Sequence, residues 1–170
     1  MKEILQYLFN HNTLSKSEAK AILTEIAQDK FNENEVTAFV TVFLMRSITL
    51  EEMEGFQEAL LRLSVPADLE THDLVDIVGT GGDGKNTFNI STLASFVVAG
   101  AGQKVAKHGN YGVSTISGSS NVLEELGYQF KTNSEDLRQD LEKSNICFLH
   151  APVFHPALRS VAPLRKGLGL

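Results

Sequence analysis

Leu74-Val75-Asp76-Ile77-Val78-Gly79-Thr80-Gly81-Gly82-Asp83-Gly84-Lys85-Asn86-Thr87 runs from an apolar, β-branched stretch straight into a glycine-rich loop. The first five residues read as a buried strand. The loop can turn sharply, and its consecutive N–H groups can converge on an anion. A polar cluster, Asn89-Ile90-Ser91-Thr92, follows, and then an apolar helical stretch over 93–101. Strand, glycine loop and helix in that order suggest an α/β unit that binds phosphate. Two familiar versions of such a loop fail on particular residues. Gly79, Gly81 and Gly84 satisfy G-x-G-x-x-G, but a dinucleotide site also wants an acidic residue roughly 20 positions on. That region reads Gln103-Lys104-Val105-Ala106-Lys107-His108, without an acid. Gly79, Gly84 and Lys85 imitate a P-loop, but Asn86 stands where the magnesium-binding Ser or Thr is required.

Reading onward, 103–107 offers a second short strand and 146–149 a third. Between them, Ser119 or Ser120 can cap a helix that runs to Leu126 and stops at Gly127, and Leu137 and Leu141 mark another helix. Pro156 opens a final helix that carries Val161 and Leu164. Strands alternating with helices imply parallel strands. Lys107-His108-Gly109-Asn110 follows the second strand, at the sheet edge where α/β ligands bind. Ser114, Thr115, Ser117, Gly118, Ser119 and Ser120 crowd before the next helix, as a second anion site or merely a flexible loop. Asn89 to Thr92 is equally open between an ordinary helix cap and a phosphate seat.

Residues 1–66 are different, with helix signals throughout and no glycine before Gly55. Ile4, Leu5, Leu8 and Phe9 form one apolar stripe, and Val36, Phe39, Val40, Phe43 and Leu44 another. Ser15 with Glu18, and Thr49 with Glu52, have capping-box spacing. They precede the stripes Ala19, Ile22, Leu23, Ile26 and Met53, Phe56, Leu60, Leu63, and Pro66 ends the last helix. The expected domains are a helical bundle over 1–66, complete enough in its stripes to fold and dimerise alone, and an α/β domain over 72–170.

A net charge of −6 argues against bulk nucleic-acid binding, which needs a basic footprint. One cysteine, Cys147 in an apolar run, excludes an internal disulfide framework and a cysteine-rich zinc site, and reads as buried and inert. Residues 1–6 lack a signal-peptide layout, and the longest apolar stretch, 93–102, is too short to span a bilayer. A soluble cytoplasmic protein is the expectation. Three short strands make a small parallel sheet, so the sequence is expected to be the N-terminal part of a longer protein.

The linked motifs resemble the anthranilate phosphoribosyltransferase family: 76–83 with 89–92, Lys107-His108-Gly109-Asn110 with Ser117-Gly118-Ser119 and Val122-Leu123-Glu124, and His155-Pro156-Ala157-Leu158 with Val161-Ala162-Pro163-Leu164-Arg165. The resemblance covers essentially the whole chain. It implies an α/β protein of the nucleoside phosphorylase/phosphoribosyltransferase type, with an N-terminal helical bundle before the start of a mostly parallel sheet. It also implies magnesium, a homodimer through the helical domain, and transfer of the phosphoribosyl group of phosphoribosyl pyrophosphate to the amine of anthranilate in tryptophan biosynthesis. Gly79, Gly82, Asp83 and Thr87 would border the pyrophosphate, and Asn89, Ile90, Ser91 and Thr92 would continue that site, Ser91 also as a magnesium ligand. Lys107, His108, Gly109, Asn110, Tyr111, Gly112, Val113, Ser114, Thr115 and Ser119 would hold the phosphoribosyl portion. Gly79, Asn110 and Arg165 would meet anthranilate, with His108 lining its entry. No residue is assigned as a general base, because an aromatic amine is a usable neutral nucleophile.

Two departures from the family pattern stand out. Tyr111-Gly112 replaces the usual Arg-Ala, which removes a cation from that position. The family's later acidic pair, which binds magnesium, has no counterpart before Leu170, so residues 1–170 alone are expected to catalyse poorly or not at all. The competing readings are a pyrimidine nucleoside phosphorylase-like enzyme, which would carry a different Lys-, Ser- and Thr-rich loop at 79–83, and a non-catalytic nucleic-acid-binding relative.

Overall fold

The computed structural model describes residues 1–69, 73–79, 88–112 and 118–168. They divide into two compact units. The first joins Met1–Ser64 to His155–Gly167, and the second contains Val65–Phe154.

The first unit holds α1 (Lys2–Phe9), α2 (Lys16–Ala27), α3 (Glu33–Met45) and α4 (Leu50–Leu63). Ser15 and Thr49 form the two expected capping boxes with Glu18 and Glu52, and Asn32 forms a third with Glu35 that the sequence reading had passed over. Leu5, Leu8, Ile22, Ile26, Val36, Phe39 and Val42 make the core, as their helical spacing requires. Phe9 and Leu44 were expected in it but are exposed. The inward face of α4 is Glu52, Gly55 and Ala59, whereas Met53 is exposed. Small residues on that face let α4 lie close to α2, and Phe56 joins Phe39 and Phe43 in edge-to-face contacts.

The same core takes in Leu164, with Val161 packed against it. The bundle core is therefore not complete within residues 1–66. The expected single helix after Pro156 is two pieces, a 3₁₀ turn at Pro156–Leu158 and α9 (Ala162–Leu168), with α5 to α8 preceding them in the second unit. Pro163 explains the break. It has no N–H to give the Arg159 carbonyl, which accepts from Ala162 N at 3.4 Å instead.

In the second unit, β1 (Val105–Gly109) and β2 (Ile146–His150) pair in parallel, with Val105 opposite Ile146 and Gly109 opposite His150. Side chains alternate across this sheet. Ala106, Cys147 and Leu149 pack with α7 (Ser134–Ser144) through Leu137 and Leu141. Val105, Ile146 and Phe148 pack with Ala99 of α5 (Ile90–Gly100) and Leu123 of α6 (Ser119–Glu125). A four-residue helix, α8 (Ala151–Phe154), follows β2. Cys147 is fully buried, and burial pushes its thiol up to about 12, as expected of an inert cysteine.

The expected strand at 74–78 is reduced to one parallel bridge, Val75 to Val105. It is carried by Val75 N to Lys104 O at 3.0 Å and Ala106 N to Val75 O at 3.1 Å. Further along this register, a bond would run from His108 N to Ile77 O. Side chains occupy both groups: the Asp76 carboxylate accepts from His108 N at 3.2 Å, and Lys107 Nζ donates to Ile77 O at 2.7 Å. Among the described residues, no helix is long and apolar enough to cross a membrane.

Candidate active site

Several polar side chains gather at the C-terminal ends of 74–78, β1 and β2. Lys107 lies on the β1 face that packs under α5 and α6 and is only 2% exposed. Burial lowers its pKa, and the nearby Asp76 carboxylate opposes that shift. Asp76 also reaches His108 Nδ1 at 2.8 Å. One carboxylate thus fixes the backbone and the ring of His108, while the Ile77 carbonyl holds the ammonium of Lys107.

At the start of α5, Asn89 Oδ1 accepts from Thr92 N at 3.1 Å and from Ser91 Oγ at 3.3 Å. The Thr92 hydroxyl is buried and has no hydrogen-bond partner among the described residues. A buried hydroxyl without a partner is costly unless something else satisfies it. The other observation here is Gly79, whose Cβ, were there one, would sit 3.8 Å from Ser91 Oγ. The backbone at Gly79 therefore comes close to a helix start, where the dipole favours an anion, an arrangement suited to phosphate.

A third element joins 110–112 to the start of α6. Ser120 N donates to Asn110 O at 3.2 Å, and the Ser119 hydroxyl lies 3.5 Å from the same oxygen. The cap is Gly118 rather than Ser119 or Ser120. A Cβ on Gly118 would collide with Gly112 N and would lie 2.6 Å from Tyr111 C and 2.8 Å from Asn110 O, so only glycine fits. Asn121 Oδ1 accepts from Gly112 N at 3.0 Å and from Gly118 N at 2.9 Å. Tyr111, which stands where the resembling family has Arg, donates its hydroxyl to Glu124 at 2.7 Å and meets the His150 ring edge-on. His150 is buried, which lowers its pKa, and its Nδ1 lies 3.0 Å from Ser120 Oγ.

The structure thus brings Gly79 to Ser91, in the cluster of Asn89, Ile90 and Thr92, and joins Asn110, Tyr111 and Gly112 to Ser119. Lys107, His108 and Gly109 occupy β1. Gly82, Asp83, Thr87, Val113, Ser114 and Thr115 lie outside the described residues. Arg165 is half-buried on α9 in the first unit, whereas Gly79 and Asn110 belong to the second. Sequence reasoning gave no role to Asp76, Asn121 or His150, and read Ser120 only as a candidate helix cap or part of an anion site. The one signal for Asn121 was its place three residues after Gly118, the capping-box spacing.

Residues 71–170 match the a/b domain of a glycosyl transferase family, and residues 2–64 match the helical bundle domain of the same family. The chain belongs to this glycosyl transferase family. Within the family, it is 58% identical over 170 residues to the anthranilate phosphoribosyltransferase of Cytophaga hutchinsonii and 55% identical to that of Christiangramia forsetii. The match covers 100% of this chain and 52% and 51% of those relatives, so the chain spans about half the length of the curated relatives it matches. Among solved structures, the anthranilate phosphoribosyltransferase of Thermus thermophilus is 34% identical with a TM-score of 0.84, covering 98% of this chain and 50% of that one. The Saccharomyces cerevisiae enzyme in complex with PRPP (phosphoribosyl pyrophosphate) and Mg is 31% identical with a TM-score of 0.80, with the same coverage. These members share the helical bundle and the parallel-strand α/β architecture expected from the sequence.

Magnesium can be weighed against the donors present. Among the described residues, no three His, Cys, Asp or Glu side chains gather as a metal site. Magnesium commonly takes only one or two protein oxygens and completes its shell with water and substrate phosphates. The neutral Ser91 hydroxyl, beside a helix start and Gly79, fits a role as one such oxygen.

Proposed function

We propose that the protein of which this chain is part transfers the phosphoribosyl group of phosphoribosyl pyrophosphate to the amine of anthranilate. The observation that carries this reading is the 55–58% identity to curated anthranilate phosphoribosyltransferases along all 170 residues. In the reaction, a C–N bond forms at the anomeric carbon, the C–O bond to pyrophosphate breaks, and the amine gives up a proton. The main demand is to stabilise charge on the departing pyrophosphate. The dipole at the start of α5, the Ser91 and Thr92 hydroxyls and the backbone around Gly79 serve that end. Lys107, already held by the Ile77 carbonyl, keeps a cation beside the phosphoribosyl portion with little freedom left to lose. Magnesium, when bound, neutralises phosphate charge as a Lewis acid. Arg165 would pair with the anthranilate carboxylate, and its planar fork suits that partner.

The direct test is loss of anthranilate fluorescence with phosphoribosyl pyrophosphate and magnesium in the complete protein, beside thymidine phosphorolysis. Turnover of thymidine but not anthranilate would favour the nucleoside phosphorylase reading instead. Two variants test the site. Ser91→Ala is expected to raise the magnesium concentration needed for half-maximal rate and to slow turnover about tenfold or more, as loss of one oriented polar contact does. Unchanged magnesium dependence would remove Ser91 from the metal site. Arg165→Ala is expected to raise the anthranilate requirement about tenfold or more, because a charge-assisted pair is lost, while the phosphoribosyl pyrophosphate requirement moves little. The opposite pattern would place Arg165 with the other substrate.

The same reading includes a homodimer through the helical unit. Met45, Leu50 and Leu61 there are large, apolar and well exposed, which suits a covered face. Sedimentation of the complete protein and of a Leu50→Glu variant tests it, with conversion to monomer expected.

A further inference from the structure

We infer that Asn121 is a positioning residue, whose carboxamide pins the stretch 110–112 to the start of α6 and so sets how tightly that stretch holds a phosphoribosyl ligand. The inference rests on the phosphoribosyl pyrophosphate reading above. Two backbone donors, Gly112 N at 3.0 Å and Gly118 N at 2.9 Å, converge on one oxygen, Asn121 Oδ1. Because both partners donate, the oxygen rather than the NH₂ of the amide must face them, which removes the usual ambiguity of an asparagine flip. Three further observations meet at the same join. Ser120 N donates to Asn110 O, Gly118 leaves no space for a Cβ against 110–112, and Tyr111 N donates to Asn110 Oδ1 at 2.8 Å. Asn110 and Ser119, both assigned to the ligand by the functional reading, thus sit on two pieces of chain that this acceptor helps to join. Asn121 itself does not touch the ligand in this account. Its effect passes through the placement of Asn110 and Ser119.

Removing the acceptor breaks both of these bonds in a partly buried join and leaves the Gly112 donor unpaired. Asn121→Ala is therefore expected to weaken phosphoribosyl pyrophosphate binding about tenfold or more. It is also expected to abolish the protection of the Gly112 amide against hydrogen exchange. Asn121→Asp keeps an oxygen at the same reach and is expected to restore both protection and affinity. A merely structural residue would lower stability without this paired rescue. The experiment is calorimetric titration of the complete protein with phosphoribosyl pyrophosphate and magnesium, alongside amide exchange resolved at Gly112. If the parent protein binds no phosphoribosyl pyrophosphate, the functional reading falls and takes the ligand part of this inference with it. If the parent binds and Asn121→Ala binds equally well, the inference alone is overturned. Persisting protection of the Gly112 amide in Asn121→Ala also overturns it. Should Asn121→Ala fail to fold, the Asp variant decides: parental affinity and protection support the clamp, and loss of either refutes it.

Discussion

Glu52→Ala is expected to cost the helical unit about 3–5 kcal/mol, the range for breaking a buried ion pair by removing one partner. Glu52 is fully buried and accepts from Arg46 at 2.6 and 2.9 Å, from Thr49 N at 2.9 Å and from Leu14 N at 2.9 Å. Truncation strands the Arg46 guanidinium and two backbone donors together. Denaturant unfolding, with hydrogen exchange across α2 and α4 to localise the loss, measures the effect. A cost below about 1 kcal/mol, the level of an exposed pair, would show that water reaches this cluster. The same group predicts an acid response. Burial alone would raise its carboxyl, but Arg46, the Thr49 and Leu14 amides and the Thr49 hydroxyl outweigh that and hold it at about 2, against an ordinary 4.5. Its folded pKa lies below its unfolded one. The stability it contributes is therefore complete above 4.5 and is lost as pH falls toward about 2. The Ala variant should lack this part of the acid slope.

Gly55→Leu is expected to be nearly as damaging, by roughly 3 kcal/mol, because overpacking forces the backbone apart. A Cβ at Gly55 would collide with the Lys16 carbonyl oxygen and stand 2.8 Å from Ala19 Cβ and 3.0 Å from Lys20 N. Two of those neighbours are backbone of α2, which cannot rotate out of the way. Exposed bridges from Lys16 and Lys20 to Glu58 lie beside this crossing and are too accessible to hold it. The Ala variant separates two effects, since alanine favours a helix by about 1 kcal/mol over glycine. Destabilisation that grows from Ala to Val to Leu confirms the close crossing. A Gly55→Ala protein more stable than the parent would contradict it.

What the sequence revealed depended on how far apart the interacting residues lie. Capping boxes at Ser15 and Thr49 were legible because both partners lie within one turn. The alternation that buries Ala106, Cys147 and Leu149 on one sheet face, and Val105, Ile146 and Phe148 on the other, follows from strand period alone. The candidate site could be read from the sequence only as linked motifs at 76–83, 89–92 and 107–110, because the residue types suited to phosphate form a small set. Glu52 as a buried charge was not legible, because Arg46 and Leu14 reach it from outside its helix. The shortened strand at 74–78 depends on where the side chains of Asp76 and Lys107 find partners, at separations of 30 and 32 residues. Asn121 was missed for a subtler reason: its spacing from Gly118 is visible, but its second partner, Gly112, lies nine residues earlier and outside its helix.

The return of Leu164 to the helical core bears on the order of events during synthesis. Chains emerge from the ribosome N-terminus first, and units fold as their parts become available. Here α1 to α4 leave the ribosome early but lack one piece of their core until 155–167 follow, after the whole of 65–154. The bundle must therefore wait, with its apolar stripe around Leu8, Ile22 and Phe39 only partly sheltered, while the α/β unit is still being made. The helices that come first in the gene are not the ones that can be finished first.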